Sequence, residues 1–253
     1  MIAGLALWRV WGMLAVNDIR LRYRRSRLGQ FWLTISMAVT IITLAIVYST
    51  IFAISLRDYL PMIAVSLIAW GLIAGICNEG AVAFIEGEAY IRSVPLPKSV
   101  FIYRIILRNL ITFGHNVIIA PVVMVLLGIV PNWNLLLLIP AMFLTLLTGA
   151  CVALILSTLS ARFRDLPPIV SSFMQIAFFL SPIMWSAHQL RGQFQILTDW
   201  NPFAAFLDIM RNPILGVPPN PSSWWFALGV TAVTFAVAVI FFGRFRSRIA
   251  YYL

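Results

Sequence analysis

The chain has 253 residues, of which 62% are hydrophobic and only 10% are charged. Ordinary soluble domains carry roughly 25% charged residues, so this composition excludes a soluble domain and predicts an integral membrane protein. The formal net charge of +10 would suit a nucleic-acid-binding domain only if it covered a soluble surface, whereas here the basic residues flank apolar runs. No nucleic-acid partner is expected.

Residues 1–28 combine a short apolar stretch with a basic segment. The apolar part is short for a membrane span and carries Trp8, Arg9 and Trp11, which predicts a helix lying in the membrane interface. A frayed N-terminus is the alternative, and the absence of a basic region before the apolar stretch argues against a cleaved signal peptide. Five arginines follow between Arg20 and Arg27. Basic flanks stay in the cytoplasm, so the N-terminus is predicted to lie inside.

Apolar runs along the rest of the chain predict an all-α membrane protein with six transmembrane helices. The first run holds 29 uncharged residues, roughly 43 Å of helix, which exceeds a hydrocarbon core of ~30 Å. The predicted spans are 31–56, 60–84, 101–128, 135–160, 168–187 and 223–243. All but three of the 18 lysines and arginines then lie on one side, the exceptions being Arg57, Arg191 and Arg211, which predicts an N-in/C-in topology.

Two segments between spans are distinctive. Residues 86–99 contain two acids and two prolines and predict a short cytoplasmic helix followed by a turn. Residues 188–222 lie outside and predict re-entrant helices, because their apolar pieces are too short to span. Asn201 as N-cap and Pro202 as first residue predict a helix at 203–212, with Asp208 and Arg211 paired at i, i+3.

Several kinds of chemistry are excluded. The only lysine, Lys98, follows Leu96-Pro97, so the chain has no phosphate-binding loop of the G-x-x-x-x-G-K-[ST] type. His115 and His188 are too far apart in the sequence to predict a metal site, and Cys77 and Cys151 lie in apolar runs as packing residues. His115 and Asn116 are predicted to hydrogen-bond between helices, with intramembrane catalysis as the alternative.

Two helix faces are candidates for contact with a substrate. Ser36, Thr40 and Thr43 share one face of the first span, and hydroxyl groups can accompany a hydrated substrate. Close helix packing by small residues is the alternative explanation. The fifth span presents a second face with aromatic rings, which can stack on sugars without fixing one orientation. That face is formed by Met174, Phe178, Ser181 and Trp185.

Four stretches together resemble the membrane subunit of ABC-2 type polysaccharide exporters. They are LRYRRSRLGQFWLTISM (21–37), EAYIRSVPLPKSVFIYR (88–104), ARFRDLPPIVSSFMQIAFFLSPIMW (161–185) and NPFAAFLDIMRNPILG (201–216). The resemblance implies a homodimer in the bacterial inner membrane that exports a lipid-linked O-antigen or capsule-like polysaccharide. Two separate ATPase subunits would bind the ATP and Mg²⁺, leaving this chain without cofactor or enzymatic activity. The alternatives are an ABC-2 exporter of drugs or small lipids, or a membrane-embedded transferase acting on lipid-linked sugars.

The resemblance also implies roles for two segments. The segment between spans two and three would be a coupling helix, for which we predict contributions from Glu86, Glu88, Tyr90, Ile91 and Arg92. The outer piece would be a gate formed by Trp200, Asn201, Pro202, Phe203, Asp208 and Arg211. We expect Tyr48, Phe178 and Trp185 to line a central channel that Trp200 and Phe203 close, because a sliding polymer needs many weak contacts. Interfacial anchoring is the competing role for Trp185 and Trp200.

Overall fold

The computed structural model describes residues 2–26, 28–29, 31–185 and 196–253, and within these ranges all regular structure is helical. The predicted all-α class is therefore confirmed for the described part of the chain. In chain order the helices are α1 (Ile2–Ala6), α2 (Trp8–Tyr23), α3 (Phe31–Ile51), α4 (Leu56–Glu86), α5 (Glu88–Ser93), α6 (Ser99–Asn116), α7 (Ile119–Leu127), α8 (Leu138–Arg162), α9 (Leu166–Leu180), α10 (Ile196–Asp199), α11 (Pro202–Ile214), α12 (Pro221–Phe245) and α13 (Ile249–Tyr252), with a 3₁₀ turn at Trp133–Leu137 before α8.

Five helical segments in the described ranges are long and apolar enough to cross a membrane. They are Phe31–Ile51, Leu56–Glu86, Ser99–Leu127, Trp133–Arg162 and Pro221–Phe245. The predicted fifth span, 168–187, contains only the 15-residue helix α9, about 22 Å long at 1.5 Å per residue. It ends at Leu180 because the next residue, Ser181, precedes a proline and has an extended backbone (ψ 149°).

Local chemistry explains where the other spans begin, end and break. Helix α3 stops at Ile51, short of the predicted boundary, and Ala53 has a left-handed backbone (φ 52°). Helix α4 begins earlier than predicted because the Ser55 hydroxyl accepts a hydrogen bond from Asp58 N and caps the helix. The third span divides into α6 and α7 before Pro121, which has no N–H to donate to the carbonyl of Val117.

Helix α4 is the centre of the molecule and the most buried span. It packs against α8, α6, α3 and α9, and α11 lies against one end. A Cβ at Gly80 would lie 2.8 Å from Ala153 Cα, so glycine lets α4 and α8 approach closely. On α4, Gly75 abuts the Asn109 carboxamide of α6, whereas Gly71 is exposed beside Met37 of α3. The small residues therefore set two different helix contacts.

The hydrogen bonds of His115 and Asn116 differ from those predicted. The His115 Nδ1 atom lies 2.8 Å from the Ile111 carbonyl of its own helix, and the ring makes no hydrogen bond to another helix in the described part of the chain. A hydrogen bond between α3 and α6 is made by the Thr34 hydroxyl, which donates to the His115 backbone carbonyl at 3.3 Å. The His115 ring also packs edge-on against Phe31 of α3, with the ring centroids 6.3 Å apart. The buried Asn116 Oδ1 has no hydrogen-bond donor among the described residues.

The two ends of the bundle differ in charge. Helices α2, α5 and α13, together with most of the arginines, lie at one end, which we call the basic end. Helix α2 packs along α6 through buried Ala15 and Ile19 and leaves Trp8 exposed. Helix α11 lies near the opposite end. Arg27 and residues 186–195, including predicted outer residues His188 and Arg191, lie outside the described ranges.

Candidate functional site

The predicted polar face of the first span is exposed on α3. Ser36, Thr40 and Thr43 all have exposed side chains. The Thr40 hydroxyl donates to the Ser36 carbonyl at 2.8 Å, as threonine does in a helix facing an apolar medium. The structure therefore leaves these side chains available to a neighbouring molecule.

Tyr48, the aromatic residue predicted for the same path, does not share this exposed face. It is half-buried, and its ring centroid lies 5.7 Å from that of Phe52. Phe52 in turn contacts Tyr59, whose hydroxyl donates to the Met184 carbonyl at 2.5 Å. Tyr48 thus belongs to an aromatic group that joins α3 to the start of α4 and to the chain after α9.

The face of α9 predicted to line the path points into the protein. Met174 and Ser181 are buried, and Phe178 is half-buried with its ring 5.9 Å from that of Trp70. Trp185 is half-buried as well, and its indole N–H donates to the Phe179 carbonyl at 3.4 Å. Met174 and Phe178 share this face of α9, whereas Ser181 and Trp185 lie beyond the end of the helix at Leu180, so the predicted four-residue helical face forms only in part. The apolar side chains of Met174 and Phe178 pack into the core instead of facing outward.

The exposed face of α9 carries residues that the sequence analysis did not select. Ser172, Gln175 and Phe179 lie on it at spacings of three and four residues. The Gln175 carboxamide makes no hydrogen bond to any described residue. A carboxamide is costly to leave unpaired in hydrocarbon. The available signal was a glutamine in the middle of an apolar helix, opposite the face that had been chosen.

The polar residues of the other spans are less exposed than those of α3 and α9. On α4, α6, α8 and α12, the serines, threonines and asparagines are buried or half-buried, apart from Ser222 in the first turn of α12. These side chains are Ser66, Asn78, Ser99, Asn109, Thr112, Asn116, Thr145, Thr148, Ser157, Thr158, Ser160, Ser223, Thr231 and Thr234. Only α3 and α9, which both pack against α4, expose such residues along the spans in the described ranges. This pattern favours a cover other than lipid for α3 and α9.

A cavity of about 280 Å³ lies between α4, α8, α9, α11 and α12. Its walls are mostly aliphatic and aromatic. Its threonine hydroxyls bond within the protein, as Thr145 does to the Ala141 carbonyl and Thr148 to Thr231. The cavity therefore does not suit a hydrated polymer.

At the end of the bundle opposite the basic end, α11 begins as predicted. The Asn201 side chain accepts a hydrogen bond from Phe203 N, and Pro202 is the first helical residue. Phe203 is half-buried with its ring 5.5 Å from that of Trp70, whereas Trp200 is 74% exposed. The two aromatic residues proposed to close a channel together are thus in different environments.

The predicted pairing of Asp208 with Arg211 is wrong, because each side chain binds elsewhere. The buried Arg211 guanidinium donates to the Pro182 carbonyl at 2.9 Å and to the Ser66 hydroxyl at 3.3 Å. Asp208 accepts from Asn212 Nδ2 at 2.6 Å and from Asn220 N at 2.9 Å. Arg211 therefore ties α11 to α4 and to the chain that follows α9.

A charged cluster near the basic end joins three helices. Arg104 binds both oxygens of Asp18 at 2.6 Å. Arg108 is only 5% exposed and binds Asp18 at 3.2 Å and Glu79 at 2.8 Å. Asn109 donates to the same Glu79 oxygen at 2.7 Å. Asp18 is on α2, Glu79 on α4 and Arg108 on α6, so the cluster fixes α2 against the two spans.

This cluster extends to the predicted coupling residues through Glu86, the last residue of α4. Its carboxylate lies 3.5 Å from Arg108 Nη2, while Arg22 lies 3.7 Å from Glu79 on a more exposed side. Three acids thus face three arginines. The sequence analysis did not single out Asp18, the lone acid of the apolar and basic helix α2.

The coupling segment is a short helix, as predicted. Glu88 binds Arg92 at 3.0 Å within α5 and Arg164 of the loop after α8 at 3.4 Å. Tyr90 is exposed, and Ile91 packs against the core. Glu86 and Glu88, predicted to act together, therefore have different partners. Among the described residues no group of His, Cys, Asp and Glu could hold a metal ion.

Comparison with known proteins identifies the family of this chain. The family model described as ABC-2 type transporter matches residues 10–215. The chain belongs to the ABC-2 type transporter family. The predicted family is thus confirmed, and membership implies a membrane setting and an ATP-binding cassette partner.

Relatives within the ABC-2 family include permeases for polysaccharides. The O-antigen export system permease protein RfbA of Klebsiella pneumoniae is 28% identical over 200 residues, which cover 76% of this chain and 74% of the relative. RfbA of Myxococcus xanthus is 23% identical over 184 residues, covering 71% and 69%. The polysialic acid transport protein KpsM of Escherichia coli is 22% identical over 206 residues, covering 80% of each chain. These similarities suggest a polysaccharide export permease.

Proposed function

We propose that this chain is the channel-forming permease subunit of an ATP-driven exporter of lipid-linked polysaccharide, O-antigen or capsule-like, in the bacterial inner membrane. Two copies would form the channel, and two ATPase subunits would bind ATP and Mg²⁺. The names of the relatives support the substrate class. The observation that carries the proposal is the exposed polar face on α3 and α9.

The argument from that face to a channel is physical. Ser36, Thr40 and Gln175 would face hydrocarbon in a single chain, where polar groups are unfavourable. If two chains associate through α3 and α9, these groups instead line a shared polar path. Hydroxyls and a carboxamide bind sugars weakly, and the exposed ring of Phe179 offers a stacking surface without one fixed orientation. Many weak contacts allow a polymer to slide.

The same proposal assigns sides to the two ends. The basic end would face the cytoplasm, giving an N-in/C-in subunit with six spans. Helix α9 would complete its crossing of the membrane with residues 181–185. The hydrogen bond from Tyr59, near the start of α4, to the Met184 carbonyl supports this view. Helices α10 and α11 would re-enter from outside, and α11 would act as the outer gate, held in place by Arg211.

Deletion of the gene tests the proposed function. We expect the lipid-linked polymer to accumulate inside the cell and to disappear from the surface, with both effects reversed by the wild-type gene. Loss of polymer synthesis would favour a transferase instead. An unchanged surface polysaccharide would contradict both functions and leave export of drugs or small lipids to be measured.

Replacing Gln175 with leucine tests the polar path. We expect export to fall severalfold while the amount of protein in the membrane stays the same, because the exposed side chain makes no hydrogen bond to a described residue. Surface polysaccharide and membrane-fraction protein are to be measured together. Gln175→Asn should retain most export, and Ile176→Leu, an exposed apolar neighbour, is the matched control. Normal export by Gln175→Leu would exclude Gln175 from the path.

A further inference from the structure

Four separate stretches of chain, one of them α5, meet at the basic end. They are α5 itself, Lys98 in the turn before α6, the loop 162–165 after α8, and the C-terminal segment 245–253. The sequence analysis used the C-terminal segment only for its positive charges. In the structure its last helix, α13, contacts both α8 and α5.

Arg164 joins α5 to the C-terminal segment. Its Nη2 atom lies 3.4 Å from Glu88 Oε2 and 3.4 Å from the Leu253 backbone carbonyl. One guanidinium group therefore holds a residue of α5 and the last residue of the segment. The neighbouring Arg162 lies over the ring of Tyr252, with 5.6 Å between its Cζ and the ring centroid.

Apolar burial anchors the C-terminal segment to the bundle. Ile249 is fully buried and Leu253 is 7% exposed, and both belong to the main core. At the start of the segment, Lys98 Nζ donates to the Arg246 carbonyl at 2.5 Å. Partial burial lowers the pKa of the Lys98 ammonium group, and the charge of Arg246 lowers that pKa further. The segment is thus attached at both of its ends.

Helix α5 needs such support. It has only six residues, and isolated helices of that length are unstable in water. It is bounded by Gly87 and, shortly after Ser93, by Pro95, so neither flank continues it as a helix. A helix that receives force from a partner can pass it on only if it is held rigidly against the spans.

We propose that residues 249–253 form a brace that positions α5, with Arg164 as the positioning residue between them. The brace connects α5 to α8, whereas the chain itself connects α5 to α4 and α6. A movement imposed on α5 is thereby delivered to three spans together. This inference rests on the proposed function, in which α5 receives movement from an ATPase.

A distance measurement tests the brace without requiring transport. Spin labels at Ala89→Cys and Tyr251→Cys would report the separation of α5 and α13, since both positions are exposed and the native Cys77 and Cys151 are buried. Labelled protein is diluted with unlabelled protein so that distances within one chain dominate. We expect a narrow distribution that Arg164→Gln broadens and that Arg248→Gln, a matched loss of an exposed charge, leaves unchanged. A distribution unaffected by Arg164→Gln would overturn the proposal.

Coupling is measured in the purified complex with its ATPase, as polymer transported per ATP hydrolysed. Arg164→Gln and deletion of residues 249–253 should each lower this ratio severalfold while ATP hydrolysis continues, and combining them should lower it no further. Independent, multiplying losses or an unchanged ratio would count against the brace. Leu253→Ser replaces the deletion if the shortened chain does not fold. If even the wild-type complex transports no polymer, the proposed function fails, and the distance measurement still decides the brace.

Discussion

Replacing Arg108 with leucine is expected to lower the free energy of unfolding by about 3–5 kcal/mol and to abolish export. That magnitude is typical when one partner is removed from a buried ion pair and the others stay charged. Arg108 is 5% exposed and neutralises Asp18 and Glu79, and Glu86 lies 3.5 Å away. Without it, three carboxylates face mainly Arg104 and Arg22. The measurement is unfolding of the purified protein in mixed detergent micelles, together with surface polysaccharide in cells.

Arg22→Gln is the matched control for this variant. Arg22 also faces Glu79, but at 3.7 Å and with a side chain that is 52% exposed, so its loss should change the free energy of unfolding by less than about 1 kcal/mol. Adding Glu79→Gln to Arg108→Leu should recover part of the loss because it removes one stranded charge. Equal destabilisation by Arg108→Leu and Arg22→Gln would contradict the role assigned to Arg108.

Reversing both charges at the start of the coupling segment, with Glu86→Arg and Glu88→Arg, is expected to lower export more than tenfold while the partner ATPase continues to hydrolyse ATP. Each carboxylate faces arginines, Glu86 near Arg108 and Glu88 beside Arg92 and Arg164. Reversal turns these attractions into repulsion, which displaces α5 from the spans. Polymer export and ATP hydrolysis are to be measured on the same purified complex.

Asp165→Arg is the control for charge, because Asp165 is an exposed acid at the same end, at the start of α9. It should leave the ratio of export to hydrolysis close to that of the wild type. The two single reversals separate the contacts, since Glu86 belongs to the buried cluster and Glu88 to the surface of α5. Full export by the double variant would show that α5 does not transmit movement from the ATPase.

Features that depend on neighbouring residues were predicted well. The N-terminus of α11 follows from Asn201-Pro202, since a side-chain cap and a proline without an N–H stabilise the first turn by themselves. The short helix α5 follows from a polar segment before Pro95 and Pro97. The long apolar helices follow from composition, because a backbone in lipid must satisfy its hydrogen bonds internally.

Predictions about which face points inward were less successful. Helical spacing groups Met174 with Phe178 and Ser181, but spacing is the same whether that face meets the core or a channel. The structure turns this face toward α4 and exposes Gln175 on the other side. Likewise, the i, i+3 spacing of Asp208 and Arg211 permitted a pair, yet a carbonyl of the chain after α9 bound the arginine instead.

The sequence by itself determined that this protein is a helical membrane protein, where its long apolar helices lie, and which family it resembles. These properties depend on composition, on helical caps and on the order of short stretches along one chain. Only the tertiary structure decided that Asp18 meets Arg108 across 90 residues, that α3 and α9 expose polar side chains, and that residues 249–253 support α5. The physical reason is that burial and ion pairing depend on distances between helices, which the order of residues along one helix does not specify.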